Sequence, residues 1–220
     1  FRIITGQEAA DEGDVIKMNG LKLGLLDQHV DFGEAETVHT AALSAFKEIH
    51  DMEAEMRLLE KQMETDHSEA VLDRYADLQT AFEHADGFSY AAKAEAVLLG
   101  MGFPTDKWFE DVRSLSGGQK KMLEMARALM ADPRLLLLDE PFAGVNPALA
   151  DRLIERIRIL KERGLSMVII EHAIPYVLAL SDRLYVLNKG AVLASGHPQE
   201  VISDRRVFEA YLGEGDNAQP

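Results

Sequence analysis

The chain has 220 residues, of which 47% are apolar; it contains no cysteine and carries a formal net charge of −15. This length and composition are typical of a globular protein with a sizeable core, and the lack of cysteine excludes a disulfide framework or a cysteine metal site and fits the cytoplasm. No apolar run approaches the roughly 20 residues that span a bilayer, and the start of the chain has no signal-peptide pattern, so we expect any membrane link to go through a partner.

The first elements of the chain are short. Residues 1–4 are typical of the end of a helix that stops at Gly6, and residues 21–26 form an apolar run typical of a strand, which Gln28 follows. Because the chain opens with Phe1 inside an apolar helical pattern, and not with Met, we expect its beginning to be truncated.

Two apolar stripes follow, each with steps of three and four residues. The first runs from Ala42 to Met63 and the second from Val71 to Ala85, with a polar break between them. This spacing predicts two helices that fold back as an antiparallel hairpin.

The same part of the chain is strongly acidic. Residues 27–86 contain 16 Asp and Glu against four Lys and Arg. Phosphate backbones are bound by clustered basic side chains, so this segment is not expected to contact nucleic acid. A well-solvated helical surface is the simplest interpretation.

The C-terminal half alternates short apolar runs with amphipathic helical patterns, which predicts a parallel sheet. Residues 135–138 and 166–170 are expected to be buried strands, with a helix over 147–163 between them. Residues 184–187 and 191–194 predict a hairpin on the edge of that sheet, and the tail after Gly213 is expected to be disordered.

The strongest single feature is the run Leu135–Leu138 followed by Asp139, Glu140 and Pro141. A strand buried on both faces delivers these two carboxylates to the edge of the sheet where ligands bind. In a nucleotide hydrolase, Asp139 can hold Mg²⁺ directly or through water and Glu140 can polarise the attacking water. The alternative is that both simply begin a surface loop.

A second feature is the turn Ser116-Gly117-Gly118-Gln119, which precedes a helix with an apolar face. Ser116 is a natural N-cap, and two glycines let backbone N–H groups approach an anion at the positive end of the helix. The turn therefore suits a phosphate group. Alone it is weak evidence, and its place one helix ahead of the Asp139-Glu140 strand makes it specific.

A third feature is Glu171-His172, which ends the predicted strand 166–170. This puts an imidazole at the same sheet edge as Asp139 and Glu140, where it can contact a γ-phosphate. By itself, a histidine at the end of a strand is more often an ordinary hydrogen-bonded residue.

Together these motifs resemble those of ABC ATPases. Ser116 to Gln119 are similar to the family's signature sequence, Asp139 and Glu140 to its Walker B carboxylates, His172 to its switch histidine and Gln28 to its Q-loop glutamine. The resemblance implies ATP and Mg²⁺ as ligands. The implied roles are catalysis by Glu140 and His172, metal binding by Asp139 and Gln28, and nucleotide binding by Gln28, Ser116, Gly117, Gly118, Gln119 and Asn146.

The resemblance also implies a fold and partners. The expected fold is α/β, a P-loop NTPase-like parallel sheet core with an inserted α-helical subdomain that contains the helical hairpin. We expect the core over 1–30 and 134–213, the helical subdomain over 31–133 and a disordered tail over 214–220. The implied partners are a second ABC ATPase domain and membrane permease subunits, which would place the chain in the cytoplasm at the membrane.

The sequence departs from the family pattern in its phosphate-binding loop. It contains no Gly-x-x-x-x-Gly-Lys-Ser/Thr motif and no Gly-Lys pair, and without such a loop ATP has no cradle. We expect the missing part to lie just before residue 1. The chain as it stands is then expected to be inactive.

Two halves of the chain resemble different branches of the family. Residues 1–112, including Ala96–Pro104, are similar to the ribosome-associated ABC-F class. Residues 142–147 and 207–213 are similar to ATP-binding subunits of branched-chain amino-acid importers, and Asn146 stands where many members carry an aspartate. Three functions follow: a transporter subunit, which the catalytic half favours, an ABC-F ATPase acting on ribosomes, and an inactive fragment.

Overall fold

A computed structural model describes residues 1–26, 32–33 and 35–212. Its centre is a parallel sheet of three strands in the order β1-β2-β3, namely β1 (Leu23–Leu26), β2 (Leu135–Asp139) and β3 (Ser166–Ile170). The register pairs Leu26 with Leu138, and Leu138 with Ile169. The carboxyl ends of β2 and β3 therefore meet at one edge, as the sequence predicts.

Several helices precede β2 in the described part of the chain. They are α1 (Arg2–Thr5), α2 (Val38–Leu43), α3 (Lys47–Met63), α4 (Glu69–His84), α5 (Tyr90–Gly100) and α6 (Gly117–Met130). Short 3₁₀ turns lie at Ser44–Phe46, Thr105–Lys107 and Val112–Ser114. Helix α1 ends at Gly6 in the left-handed conformation, φ 84°, which glycine adopts without steric cost.

Helices α3 and α4 form the expected hairpin, but the first helix begins at Lys47 and not at Ala42, because the 3₁₀ turn Ser44–Phe46 separates it from α2. Met56, Leu78 and Phe82 are its buried apolar contacts. Arg74 of α4 donates to Glu55 of α3 at 2.6 Å, and the Tyr75 hydroxyl donates to Glu60 at 2.8 Å. The acidic side chains thus lie on a helical surface around a small apolar cluster.

The remaining elements follow β2. They are α7 (Pro147–Glu162), α8 (Ile174–Leu180), β4 (Leu184–Asn188), β5 (Ala191–Gly196), α9 (Pro198–Ile202) and α10 (Arg205–Leu212). Helix α7 ends before Gly164, which takes φ 89°. Strands β4 and β5 pair antiparallel, and Lys189 and Gly190 turn between them with positive φ, as a tight hairpin requires.

One large apolar core joins the sheet to the helices. It includes Leu26 of β1, Leu136 and Leu138 of β2, Met125 of α6 and Leu153 of α7. These side chains come from elements before and after β2 in the chain, and their burial holds the helices against the sheet. The proposed domain limits at 30, 133 and 213 stay predictions.

Two expectations for the C-terminal half are wrong. Strand β3 is not buried on both faces, because Val168 and Ile170 are 45% and 46% exposed. The β4–β5 hairpin is a separate two-stranded sheet and does not extend the edge of the parallel sheet. Residues of β3 and β4 line a cleft of about 900 Å³; because this space lies between them, the two strands do not pair, and Val168 and Ile170 stay open to solvent.

A helix that crosses a bilayer must be both long and apolar. In the ranges 1–26, 32–33 and 35–212, no helix meets both conditions for crossing a membrane.

Candidate active site

The N-terminal turn of α6 is built by residues that are adjacent in sequence. The backbone N–H of Gln119 donates to Ser116 Oγ at 3.3 Å, and the Ser116 N–H donates to Gln119 Oε1 at 2.9 Å. This reciprocal pair satisfies two of the donors that a helix start leaves without an intrahelical partner. The structure confirms Ser116 as the N-cap.

The two glycines of this turn differ in their surroundings. A Cβ on Gly118 would lie 2.4 Å from Leu149 Cδ2 and 3.2 Å from Val145 Cγ1, whereas one on Gly117 would meet only the Gly144 carbonyl oxygen at 3.8 Å. Gly118 is buried, and Gly117 is exposed. The turn therefore abuts the loop after β2 and leaves Ser116 and Gly117 open to a ligand.

Asp139 and Glu140 leave the central strand at the expected edge. Asp139 is the last residue of β2, and the Glu140 N–H continues the strand pairing by donating to the Ile170 carbonyl at 2.9 Å. Glu140 then takes φ 45°, a conformation that non-glycine residues rarely adopt. Such strain is concentrated at functional sites, and here it turns the chain sharply ahead of the buried Pro141.

His172 is brought to Glu140 by the pairing of β2 with β3. Its Nδ1 lies 3.6 Å from Glu140 Oε1, and its side chain is 70% exposed. The Glu140 side chain is about one-third exposed. Both side chains reach the solvent at one edge of the sheet, so a ligand could touch both.

Glu171 is a site residue that sequence reasoning missed. Its side chain is 2% exposed and accepts backbone hydrogen bonds from His172 at 2.9 Å and Ala173 at 3.1 Å. A third bond comes from Phe142 at 3.4 Å. The only signal in the sequence was a carboxylate next to His172, and that pattern does not tell a buried acceptor from an exposed charge.

Two other predicted residues have different outcomes. Asn146 is the N-cap of α7, and its Oδ1 accepts from the Leu149 N–H at 3.0 Å, so the structure gives it a capping role. Gln28 lies outside the described residues. Phe32, four residues later, places its ring 5.7 Å from the Arg127 guanidinium carbon of α6.

The oxygen donors at the edge of the sheet fit Mg²⁺ only as part of a site that is shared with a nucleotide. Among residues 1–26, 32–33 and 35–212, no three carboxylate or imidazole groups converge as a complete metal site. Mg²⁺ is usually held by one or two carboxylates together with phosphate oxygens and water. Asp139 at the end of β2 fits such a ligand, with the nucleotide supplying the rest.

The fold and these motifs define a nucleotide-binding α/β protein. Comparison with family models identifies its family. Residues 1–143 match the ABC transporter family, and residues 191–217 match the branched-chain amino acid ATP-binding cassette transporter family. The first match covers more than half of the chain. The chain therefore belongs to the ABC transporter family, in its ATP-binding domain.

Curated relatives match part of the chain. The probable branched-chain amino acid transport ATP-binding protein LivG of Archaeoglobus fulgidus is 44% identical over 110 residues, 50% of this chain and 43% of the relative. The lipopolysaccharide export system ATP-binding protein LptB of Acidithiobacillus ferridurans is 44% identical over 101 residues, 46% of this chain and 42% of the relative. The chain spans about two-fifths of the length of these relatives.

Solved structures cover more of the chain. The crystal structure of a nucleotide-free ATP-binding cassette from an ABC transporter has a TM-score of 0.64 and 26% identity, covering 96% of this chain and 81% of that one. An ATP-binding cassette in its ADP conformation has a TM-score of 0.53 and 36% identity, covering 57% and 50%. The fold is therefore that of an ABC ATPase.

Proposed function

We propose that this chain is the ATP-hydrolysing part of an ABC transporter. The observation that carries the proposal is the approach of His172 Nδ1 to Glu140 Oε1, 3.6 Å, at the carboxyl edge of a parallel sheet in a chain of this family. A carboxylate that can orient water and an imidazole that can contact the transferred phosphate are groups suited to phosphoanhydride hydrolysis.

Each residue then has one task. Glu140 accepts a proton from, and orients, the water that attacks the γ-phosphorus. His172 contacts the γ-phosphate through its exposed ring. Asp139 would hold Mg²⁺, and the ion would supply positive charge against the phosphate oxygens. Gln28, which follows β1, is proposed as a further ligand of that ion and nucleotide.

The turn Ser116–Gln119 is proposed to act across an interface between two ATPase domains. Ser116 and Gly117 are exposed, and the start of α6 presents the positive end of a 14-residue helix. Such a turn binds the γ-phosphate of a nucleotide held by a second copy or a related domain. Asn146, at the start of α7, is proposed to lie at the same interface.

The transported solute is proposed to be an amino acid. The match of residues 191–217 to the branched-chain amino acid family and the LivG relative support this choice, while the LptB relatives belong to an export system. In this proposal, permease subunits hold the chain at the cytoplasmic face of the membrane.

The test uses a chimaera because residues 1–220 contain no Gly-Lys pair. The phosphate-loop segment of the LivG relative is joined in front of residue 1, and ATP hydrolysis is measured with and without membranes that contain a branched-chain amino acid permease. We expect turnover by the chimaera, and no micromolar binding of MgATP by residues 1–220 alone in titration calorimetry.

Glu140→Gln in the chimaera is expected to lower kcat by about a hundredfold or more, because the amide cannot accept the proton, while nucleotide stays bound. Glu162→Gln on α7, the same change at an exposed position, is the matched control. A chimaera without turnover, or one in which Glu140→Gln matches Glu162→Gln, would contradict the proposal. Stimulation by ribosomes and not by membranes would favour the ABC-F alternative.

A further inference from the structure

Glu171 is a buried carboxyl group to which the proposed hydrolysis assigns no task. It follows β3 directly, and its side chain is almost entirely removed from solvent. A buried carboxylate is costly unless hydrogen bonds satisfy it. Here the donors are three backbone N–H groups, those of His172 and Ala173 to Oε1 and that of Phe142 to Oε2.

These hydrogen bonds join two loops that are far apart in sequence. Phe142 lies two residues after Glu140 in the loop that leaves β2, whereas His172 and Ala173 begin the loop that leaves β3. The Phe142 ring also packs on Tyr176 of α8, with ring centroids 4.3 Å apart. One side chain, Glu171, therefore bridges the loop that carries Glu140 and the loop that carries His172.

Glu171 also flanks the imidazole. His172 Nδ1 lies 3.4 Å from Glu171 Oε1 and 3.6 Å from Glu140 Oε1. Carboxylate oxygens accept hydrogen bonds, so the nitrogen that faces both of them is assigned the proton. The other nitrogen, Nε2, is then the one left for a ligand on this exposed ring.

We propose that Glu171 is a positioning residue that fixes the distance between Glu140 and His172 and the tautomer of His172. The proposal rests on the proposed function only in assigning Glu140 and His172 to one reaction. Glu171 contacts the loops that carry the reacting groups and orients His172, in the way that carboxylates orient histidines in other enzymes.

The decisive variant is Glu171→Gln. Glutamine keeps the size and one acceptor oxygen but replaces the other oxygen with an NH₂ donor, so it cannot accept from both loops. If the remaining side-chain oxygen still accepts from the His172 and Ala173 amides, the Phe142 amide loses its acceptor. Its hydrogen should then exchange with solvent at least about tenfold faster than in the wild-type chain. The Leu137 amide in β2 should be unchanged, and Glu162→Gln serves as the exposed control.

The second readout is the tautomer of His172 by long-range ¹H–¹⁵N NMR on histidine-labelled protein, assigned with His172→Ala. We expect Nδ1–H in the wild-type chain and a smaller share of it in Glu171→Gln, a change that a purely structural role would not produce. Unchanged Phe142 exchange, or faster exchange with an unchanged tautomer, would overturn the proposal.

A second variant keeps the test decisive if Glu171→Gln does not fold. Glu171→Asp retains both oxygens on a side chain one methylene shorter, which can serve the adjacent His172 and Ala173 but cannot also span to Phe142. Faster Phe142 exchange is expected, and wild-type exchange there would overturn the proposal. None of these measurements needs ATP turnover, so their failure is separate from failure of the proposed function.

Discussion

Strands β2 and β3 lie side by side in one sheet and are both rich in apolar residues. Their register pairs Leu137 with Val168, so these two side chains project from the same face. Leu137 is completely buried, yet Val168 is 45% exposed. Main-chain pairing is continuous between the two strands. The difference shows that burial depends on whether other elements pack over that part of the sheet face, and not on the composition of the strand.

The same contrast between a covered and an open position recurs in a pair of glycines and a pair of tyrosines, and a pair of exposed serines contrasts a capping with a non-capping side chain. Each pair offers a matched experiment in which the chemistry of the substitution is constant and only the surroundings differ. The expected effects decrease in the order below.

The largest effect is expected for the strand pair itself. Leu137→Ala removes a fully buried side chain and leaves a cavity, which should lower the free energy of unfolding by about 2–5 kcal/mol. Val168→Ala at the neighbouring, open position should cost about 1 kcal/mol or less. Chemical denaturation measures both, and equal losses would show that the face of β3 is covered in solution.

The glycine pair at the start of α6 should give the next largest effect. Gly118→Ala places a Cβ 2.4 Å from Leu149 Cδ2, and the repacking should cost about 1–2 kcal/mol. Gly117→Ala meets nothing closer than 3.8 Å and should change stability by less than about 0.5 kcal/mol. Denaturation curves of the two variants would contradict this if Gly117→Ala were the more damaging.

The serine pair tests whether the cap of α6 contributes to stability. Ser116→Ala removes the side-chain cap and should cost about 1 kcal/mol. Ser68, the N-cap residue of α4, makes no side-chain cap hydrogen bond, so Ser68→Ala should be close to neutral. Thermal unfolding monitored by circular dichroism compares them, and a larger loss from Ser68→Ala would refute the assignment.

The tyrosine pair should give the smallest effect, visible only at alkaline pH. Burial, followed by the hydrogen bond to Glu53, raises the pKa of Tyr90 from 10.0 to about 12. The hydrogen bond to Glu60 is the main cause that raises the pKa of the more open Tyr75.

The sign follows from which state loses its proton first. Below pH 10 both states keep the Tyr90 proton, so its stabilisation is complete; as pH rises from 10 towards 12, the unfolded chain ionises first and stability falls. Tyr90→Phe should flatten this fall, and Tyr75→Phe should flatten it less. Unfolding temperatures measured across that range decide between them, and identical slopes would contradict the assignment.

Local signals in the sequence predicted much of the molecule. The three-and-four spacing predicts α3 and α4, Ser116 with Gln119 predicts the start of α6, and Gly6 and Gly164 mark helix ends. Each of these depends on residues within about one or two helical turns, so no distant contact is needed to recognise it. The same holds for the placement of Asp139, Glu140 and His172 at strand ends.

The missed features all depend on distant parts of the chain. The buried Glu171 accepts a hydrogen bond from Phe142, 29 residues earlier, and sequence adjacency to His172 does not reveal that contact. The exposure of Val168 and Ile170 depends on the cleft between β3 and β4.

The sequence by itself determined helices α3, α4, α6 and α7, the strands and the family to which the chain belongs, because hydrophobic periodicity, caps and motifs are written in neighbouring residues. Only the tertiary structure decided which strand faces are covered and which side chain joins the loops of Glu140 and His172. The physical reason is that burial and hydrogen-bond satisfaction are properties of the space around a group, and that space is filled by residues from distant parts of the chain.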